Sequence, residues 1–234
     1  MILLNILSAG AAQAAVQNVI ADIKRDTGND VAAEYGAVGA MKARALCGDG
    51  GAPVDVIVLT NSMIDELIAA GFLAAGRFDL GKVGTGVAVR AGVAKPDVTN
   101  ADSLRATLRA ASVITFPDPA VATAGKIVMA CLDKLGIAEE LESRLKYFPN
   151  GNAAMNWMAA EGDALTIGIT QNTEILPIKG VAYVAPLPDE FQAKATYSAG
   201  VVANTAHSAE AKDFISRLTS PAAKPMLAAA GYEF

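Results

Sequence analysis

Val54-Asp-Val-Ile-Val-Leu59 is apolar at all positions but one, and a polar residue, Asn61, then opens a helix-spaced set at Ile64, Leu67 and Ile68. A strand with no polar alternation must be covered on both faces. A strand that runs straight into an amphipathic helix is the repeating unit of a parallel α/β sheet. The same alternation covers most of the chain. Strand-like runs lie at Ile2 to Leu7, Val31 to Val38, Val113 to Phe116, Arg144 to Phe148, Ala164 to Thr170 and Ala182 to Ala185. Helical spacing fills the gaps: Ala11 to Lys24, a segment capped by Asn100 with Leu104 and Leu108, Thr123 to Leu135 closed by Gly136, and Asn152 to Ala160. Two terminal helices open at Ser208 and at Ser220-Pro221, with Pro at the first helical position.

Val83 to Arg90 and Ala195 to Ala203 are extended without a matching helix. They read as strands that carry the chain from one lobe to another and back, and such crossings are natural hinges. The expected fold is therefore α/β and two-lobed, with mostly parallel central sheets and two crossing hinge strands. Lobe I takes residues 1–83 plus 195–234, and lobe II takes residues 84–194.

Hydrophobic residues make up 53% of the 234 and charged residues only 18%, enough apolar material for a core in each lobe. Net charge is −5 with no basic run, so nucleic acid is not an expected partner, and any anion must be held by local donors against the global field. No apolar run is long enough to cross a bilayer, so the chain is not expected to be membrane-embedded. The start, Met1 to Ser8, lacks a basic leader region. The compartment is periplasmic if a signal peptide has been removed and cytoplasmic otherwise. Cys47 and Cys131 are far apart and each sits in an apolar helical stretch, which reads as two buried free thiols. The single histidine, His207, has no nearby ligand partner, so neither a metal site nor a cofactor is expected. Gly84-Thr-Gly86 lacks the helix and acidic residue of a dinucleotide site.

Six stretches in order resemble the type 2 periplasmic-binding-protein family, in the branch that includes molybdate-binding proteins. They are Ile6-Leu-Ser-Ala-Gly10, Pro53 to Thr60, Gly86 to Asp97, Asp118 to Gly125, Ile167-Gly-Ile-Thr-Gln171 and Phe214 to Ala223. The resemblance implies a monomer that closes its lobes on a small oxyanion or carboxylate and passes it to an ABC permease. Two serines hold the oxyanion in the molybdate binders. The first matches Ser8, while the second falls near Val38-Gly-Ala40, where this chain has no hydroxyl. A weaker resemblance, carried by Gln171 to Pro177 and Ala195 to Gly200, is to aconitate isomerase, an enzyme on the same scaffold.

Strand-to-helix junctions supply unpaired N–H groups and the positive end of a helix dipole, so they hold anions without net charge. The candidate ligand residues at such junctions are Ser8 and Ala9, Gly39, Asn61, Thr123 and Ala124, and Asn152, with Gln171 and Tyr197 as side-chain donors. Ser8 could also cap the first helix, Asn61 is as readily a cap as a ligand residue, and Tyr197 could instead pack with its hydroxyl wet. Lys42 and Arg44 are two apart on one helix, so at most one can face a ligand and a solvated face is the plainer reading of each. Arg90 reads as hinge or surface, His207 as surface, and Trp157, Met155 and Met158 as core. A binding protein for a small anion is the first expectation, and an isomerase of a small unsaturated polycarboxylate the second. No spacing marks a catalytic base among Lys42, Asp118 and Tyr197.

Overall fold

The computed structural model describes residues 3–47 and 53–234, so Ile2, where the first strand is expected to begin, lies outside the described residues. In chain order the elements are β1 (Leu3–Ala9), α1 (Gln13–Thr27), β2 (Asp30–Gly36), α2 (Val38–Cys47), β3 (Val56–Thr60), α3 (Asn61–Ala69), β4 (Phe78–Val83) and β5 (Thr85–Arg90). There follow α4 (Ala101–Ala110), β6 (Ile114–Pro117), α5 (Thr123–Leu135), α6 (Ala138–Leu141), β7 (Leu145–Phe148), α7 (Gly151–Glu161), β8 (Ile167–Gln171) and α8 (Asn172–Ile175). The last are β9 (Val181–Pro186), β10 (Ala195–Val201), α9 (Ser208–Thr219) and α10 (Lys224–Ala229). None of the helices described is long and apolar enough to cross a membrane.

Contacts divide the chain into unit 1, Met1–Val83 with Ala195–Phe234, and unit 2, Gly84–Lys194. Unit 1 holds a five-stranded sheet in the order β2-β1-β3-β10-β4. The first three strands are parallel, and β10 is antiparallel to both β3 and β4. Its middle strand β3 is buried throughout, as a strand without polar alternation requires. Helix α1 covers the sheet with Val16, Val19 and Ile23, a stripe worth about 1.5–3 kcal/mol per buried side chain. Gly28 ends that helix at φ 72°, a left-handed position that glycine takes without a Cβ penalty.

Unit 2 holds a sheet in the order β7-β6-β8-β5-β9, again with three parallel strands and two antiparallel pairings made by β5. The α/β fold class holds, but the pairing is more mixed than the alternation of elements suggests, because each sheet accepts one reversed strand. The expected crossing strand from Val83 to Arg90 is not continuous: β4 ends at Val83, β5 begins at Thr85, and the two join different sheets. Asn100 caps α4 as expected, in a capping box: its Oδ1 accepts from the Asp102 and Ser103 amides at 3.0 Å each. Met155 and Met158 are fully buried, with Trp157 packed beside them. Cys131 is buried, whereas Cys47 is exposed. That corrects the expectation of two buried thiols: Cys47 is the last residue of α2, a helix that buries only Val38 and Ala45.

Candidate functional site

In unit 1 the parallel strands end level with one another. Ala9 pairs with Gly36 across β1 and β2, and Ser8 pairs with Val58 across β1 and β3. A helix starts within a residue or two of each strand end: a 3-10 turn at Gly10 that leads into α1, then α2 at Val38 and α3 at Asn61. The first amides of a helix have no partner within it, so three sets of N–H donors gather at one end of this sheet. Ser8 is fully buried, and its hydroxyl donates to the Ala9 carbonyl at 3.0 Å, so it bonds its own chain and caps nothing. Gly39 lies in the first turn of α2, with Met41 N donating to Ala37 O at 3.0 Å to close that turn.

The cap of α3 is Thr60, at φ −67° and ψ 149°, not Asn61. Asn61 is the first helical residue, and its Oδ1 accepts from the Ser62 amide at 2.8 Å. Thr60 Oγ1 lies 3.4 Å from Ser62 Oγ. Tyr197 stands opposite Thr60 on β10, buried in the core of unit 1 rather than wet. The two cations of α2 are both engaged. Lys42 pairs with Glu66 of α3, and Arg44 holds Glu34 of β2 with Nε 2.8 Å from Oε2. This end of the sheet therefore offers neutral donors.

In unit 2 the turn after β6 is built by Asp118, whose Oδ1 accepts from Ala120 N at 2.8 Å and whose carbonyl accepts from Ala122 N at 2.9 Å. Ala122 caps α5, leaving Thr123 half-buried and Ala124 buried at its first two positions. Gly125 lets the helix approach the strand: a Cβ there would lie 2.3 Å from Pro117 O.

The cap of α7 is Asn150, whose Oδ1 accepts from Ala153 N at 2.8 Å, so the expected start at Asn152 is one residue into the helix. Its remaining leading amides serve a residue that pattern reading missed. Glu174 is 5% exposed, and it accepts from Thr170 Oγ1 at 2.6 Å and from Gly151 N at 3.2 Å. The amides of Gln171 and Asn152 also point at it. Burial holds its carboxyl above the usual carboxylate range, and the four donors only partly offset that. The Asn152 amide is thereby taken up by Glu174. Gln171, at the end of β8, is 2% exposed and pairs with Thr85. Among the described residues, the buried Thr85 and Thr173 hydroxyls and Asn172 Oδ1, nearby in sequence and register, have no hydrogen-bond partner. The only outward sign of this group in the sequence is a polar run, Thr170-Gln-Asn-Thr-Glu174, closing an apolar strand.

Of the remaining candidates, Arg90 donates from Nη1 to Gly162 O at 3.0 Å, and His207 is the half-buried cap position of α9, its amide donating to Thr205 Oγ1 at 3.0 Å.

A profile of the bacterial extracellular solute-binding protein family matches residues 4–233. Among curated proteins, an aconitate isomerase from a Pseudomonas species is 28% identical over 170 residues, which is 72% of this chain. The aligned part is 63% of that relative, so the chain spans less than two thirds of its length. Among solved structures, the periplasmic molybdate-binding protein of Azotobacter vinelandii superposes with a TM-score of 0.80 at 21% identity, covering 99% of each chain. The sulfate-binding protein SubI from Mycobacterium tuberculosis superposes with a TM-score of 0.71 at 20% identity, covering 99% of this chain and 86% of the other. Both likenesses are of fold.

Proposed function

Because the chain belongs to the bacterial extracellular solute-binding protein family, we propose that it captures a small oxyanion or carboxylate at the carboxyl ends of its parallel strands. The observation that carries this reading is the level ending of β1, β2 and β3, each followed at once by a helix start. Donors gathered there suit an anion whose charge is spread over several oxygens, since each N–H contributes a directed bond and the helix dipoles add to the field. Ser8, the amides of Ala9 and Gly39, and Asn61 form the unit 1 contribution. Tyr197 of β10 is the side-chain donor of the same unit, and the candidates of unit 2 are Thr123 and Ala124, with Asn152 and Gln171 as side-chain donors.

Lys42 stands as a candidate only if a ligand outbids Glu66 for it. With both α2 cations paired, neutral donors favour an oxyanion over a carboxylate gripped by arginine. Delivery to an ABC permease in the periplasm, by a monomer, completes this reading.

A second reading, isomerisation of a small unsaturated polycarboxylate, rests on the 28% identity to an aconitate isomerase. Thermal unfolding against molybdate, tungstate, sulfate, phosphate, citrate, and cis- and trans-aconitate separates the two. A ligand at a hundred times its Kd adds about 2.7 kcal/mol. Stabilisation by a tetrahedral oxyanion alone supports capture. Stabilisation by aconitate, with its conversion followed by NMR, supports the enzyme. No shift with any of the seven refutes the anion reading.

A further inference from the structure

Glu174 is a buried carboxyl whose hydrogen-bond partners are all neutral. Its four donors come from three places: the Thr170 hydroxyl on β8, the Gln171 amide at the end of that strand, and the Gly151 and Asn152 amides that open α7. Space around it is closed, since a Cβ on Gly151 would lie 2.1 Å from its Oε2. Titratable groups on the elements packed against α8 do not compensate it. Glu161 is at the opposite end of α7, Arg90 ends β5 on the Gly162 carbonyl, Tyr183 stands on β9, and β8 has none. Lys179, after α8, and Lys146 of β7, whose Nζ sits 3.9 Å over the Trp157 ring, are the nearest lysines in sequence and sheet order.

Gln171 and Asn152, whose amides hold this carboxyl, are also two of the residues assigned to the ligand. An anion at their side chains would stand near an ionised Glu174 that is itself only 5% exposed. Two negative charges so placed cannot both persist cheaply, and the one that can take a proton does so.

We propose that Glu174 is the proton-linked member of the ligand site: capture of an anion at Asn152 and Gln171 drives its carboxylate to take one proton from solvent. This rests on the anion-binding reading and adds its pH dependence. With Glu174 protonated in both states, affinity is highest and flat. As pH rises through the unliganded and then the liganded titration of Glu174, affinity falls, by at most about tenfold per pH unit, and then levels.

The test is isothermal calorimetry of the full chain with molybdate and with citrate, from pH 5 to pH 8, in paired buffers of different ionisation heat. The expected result is uptake of up to one proton per ligand and a Kd that weakens by roughly tenfold or more across the range. Glu174→Gln should show neither, and subtracting it removes any titration of the probe itself. Thr170→Val, which deletes the 2.6 Å donor, should move the pH window upward, and it serves if Glu174→Gln does not fold. Binding of either probe with no proton uptake in the native chain overturns this proposal alone. Binding of neither probe overturns the anion reading with it.

Discussion

Replacing Gly125 with alanine measures how tightly α5 is seated on the turn that follows β6. The new Cβ would lie 2.3 Å from Pro117 O, 2.7 Å from Pro119 N and 2.8 Å from Pro119 Cα. All three atoms are backbone, so no rotamer change relieves the contact. The turn itself is held by two prolines and by Asp118 accepting from Ala120 N. The helix must therefore retreat by at least about 0.7 Å to bring its nearest contact to 3.0 Å. It carries Ile127, Val128, Cys131, Leu132 and Leu135 out of register with the core as it goes. Overpacking of this kind costs about 1–3 kcal/mol, and the gain in helix propensity from glycine to alanine returns about 1 kcal/mol. Three backbone contacts closer than 3.0 Å place the cost at the upper end of that range, so the expected net loss is about 2 kcal/mol in unit 2. Trp157 is the single tryptophan and packs with Phe148 at 5.6 Å, so its fluorescence in urea follows unit 2 specifically. With a slope of about 1–3 kcal/mol/M, the midpoint should fall by roughly 0.7–2 M. Lys126→Ala, at the next, exposed position, should stay within about 0.5 kcal/mol of the native chain. A Gly125→Ala midpoint no different from that control would refute the argument from close approach.

Ser8→Ala should cost about 1 kcal/mol of stability, the worth of its bond to Ala9 O, yet weaken the stabilising anion of the panel by about tenfold or more in calorimetry. An unchanged Kd would remove Ser8 from the cradle. A thiol reagent should titrate Cys47 at once and Cys131 only after denaturation, because burial pushes the Cys131 thiol up to about 12. Two equivalents reacting in the folded chain would contradict that burial. The carboxyl of Glu174 is raised on folding, so its contribution to stability is fully present below pH 4.5 and is lost as pH rises through its folded value. The difference in urea midpoint between native chain and Glu174→Gln should therefore move against the native chain with rising pH. A constant difference would mean that Glu174 titrates as it does in the unfolded chain.

The βα alternation was legible because each buried strand is a nearly unbroken apolar run and each helix has a single apolar stripe. Sheet order was not. The reversal of β10 and β5 depends on where a distant segment inserts, and Ala195 to Val201 looks the same from either direction. Helix starts were legible to within one or two residues. Thr60 holds the cap position expected of Asn61, and Asn150 caps a helix expected to start at Asn152, since several polar residues cluster at each junction and only backbone angles choose among them. The engagement of Lys42 by Glu66 joins residues from different helices, and nothing local signals it. Glu174 was invisible for a related reason. In sequence it is one acid after a polar run, and its burial comes from α7 folding over it.

β10 sits between β3 and β4 in unit 1, although most of the chain separates it from either. Until residues 195–201 have been made, β4 has no neighbour to bond to on that side and the sheet of unit 1 ends at β3. Unit 2, by contrast, is one uninterrupted stretch, Gly84–Lys194, with every strand of its sheet inside it. During synthesis from the amino end, the segment made second can therefore finish folding first, while the opening residues wait, half-assembled and exposed, for the last strand to arrive. Any helper that shields the nascent chain has its longest task at the amino end.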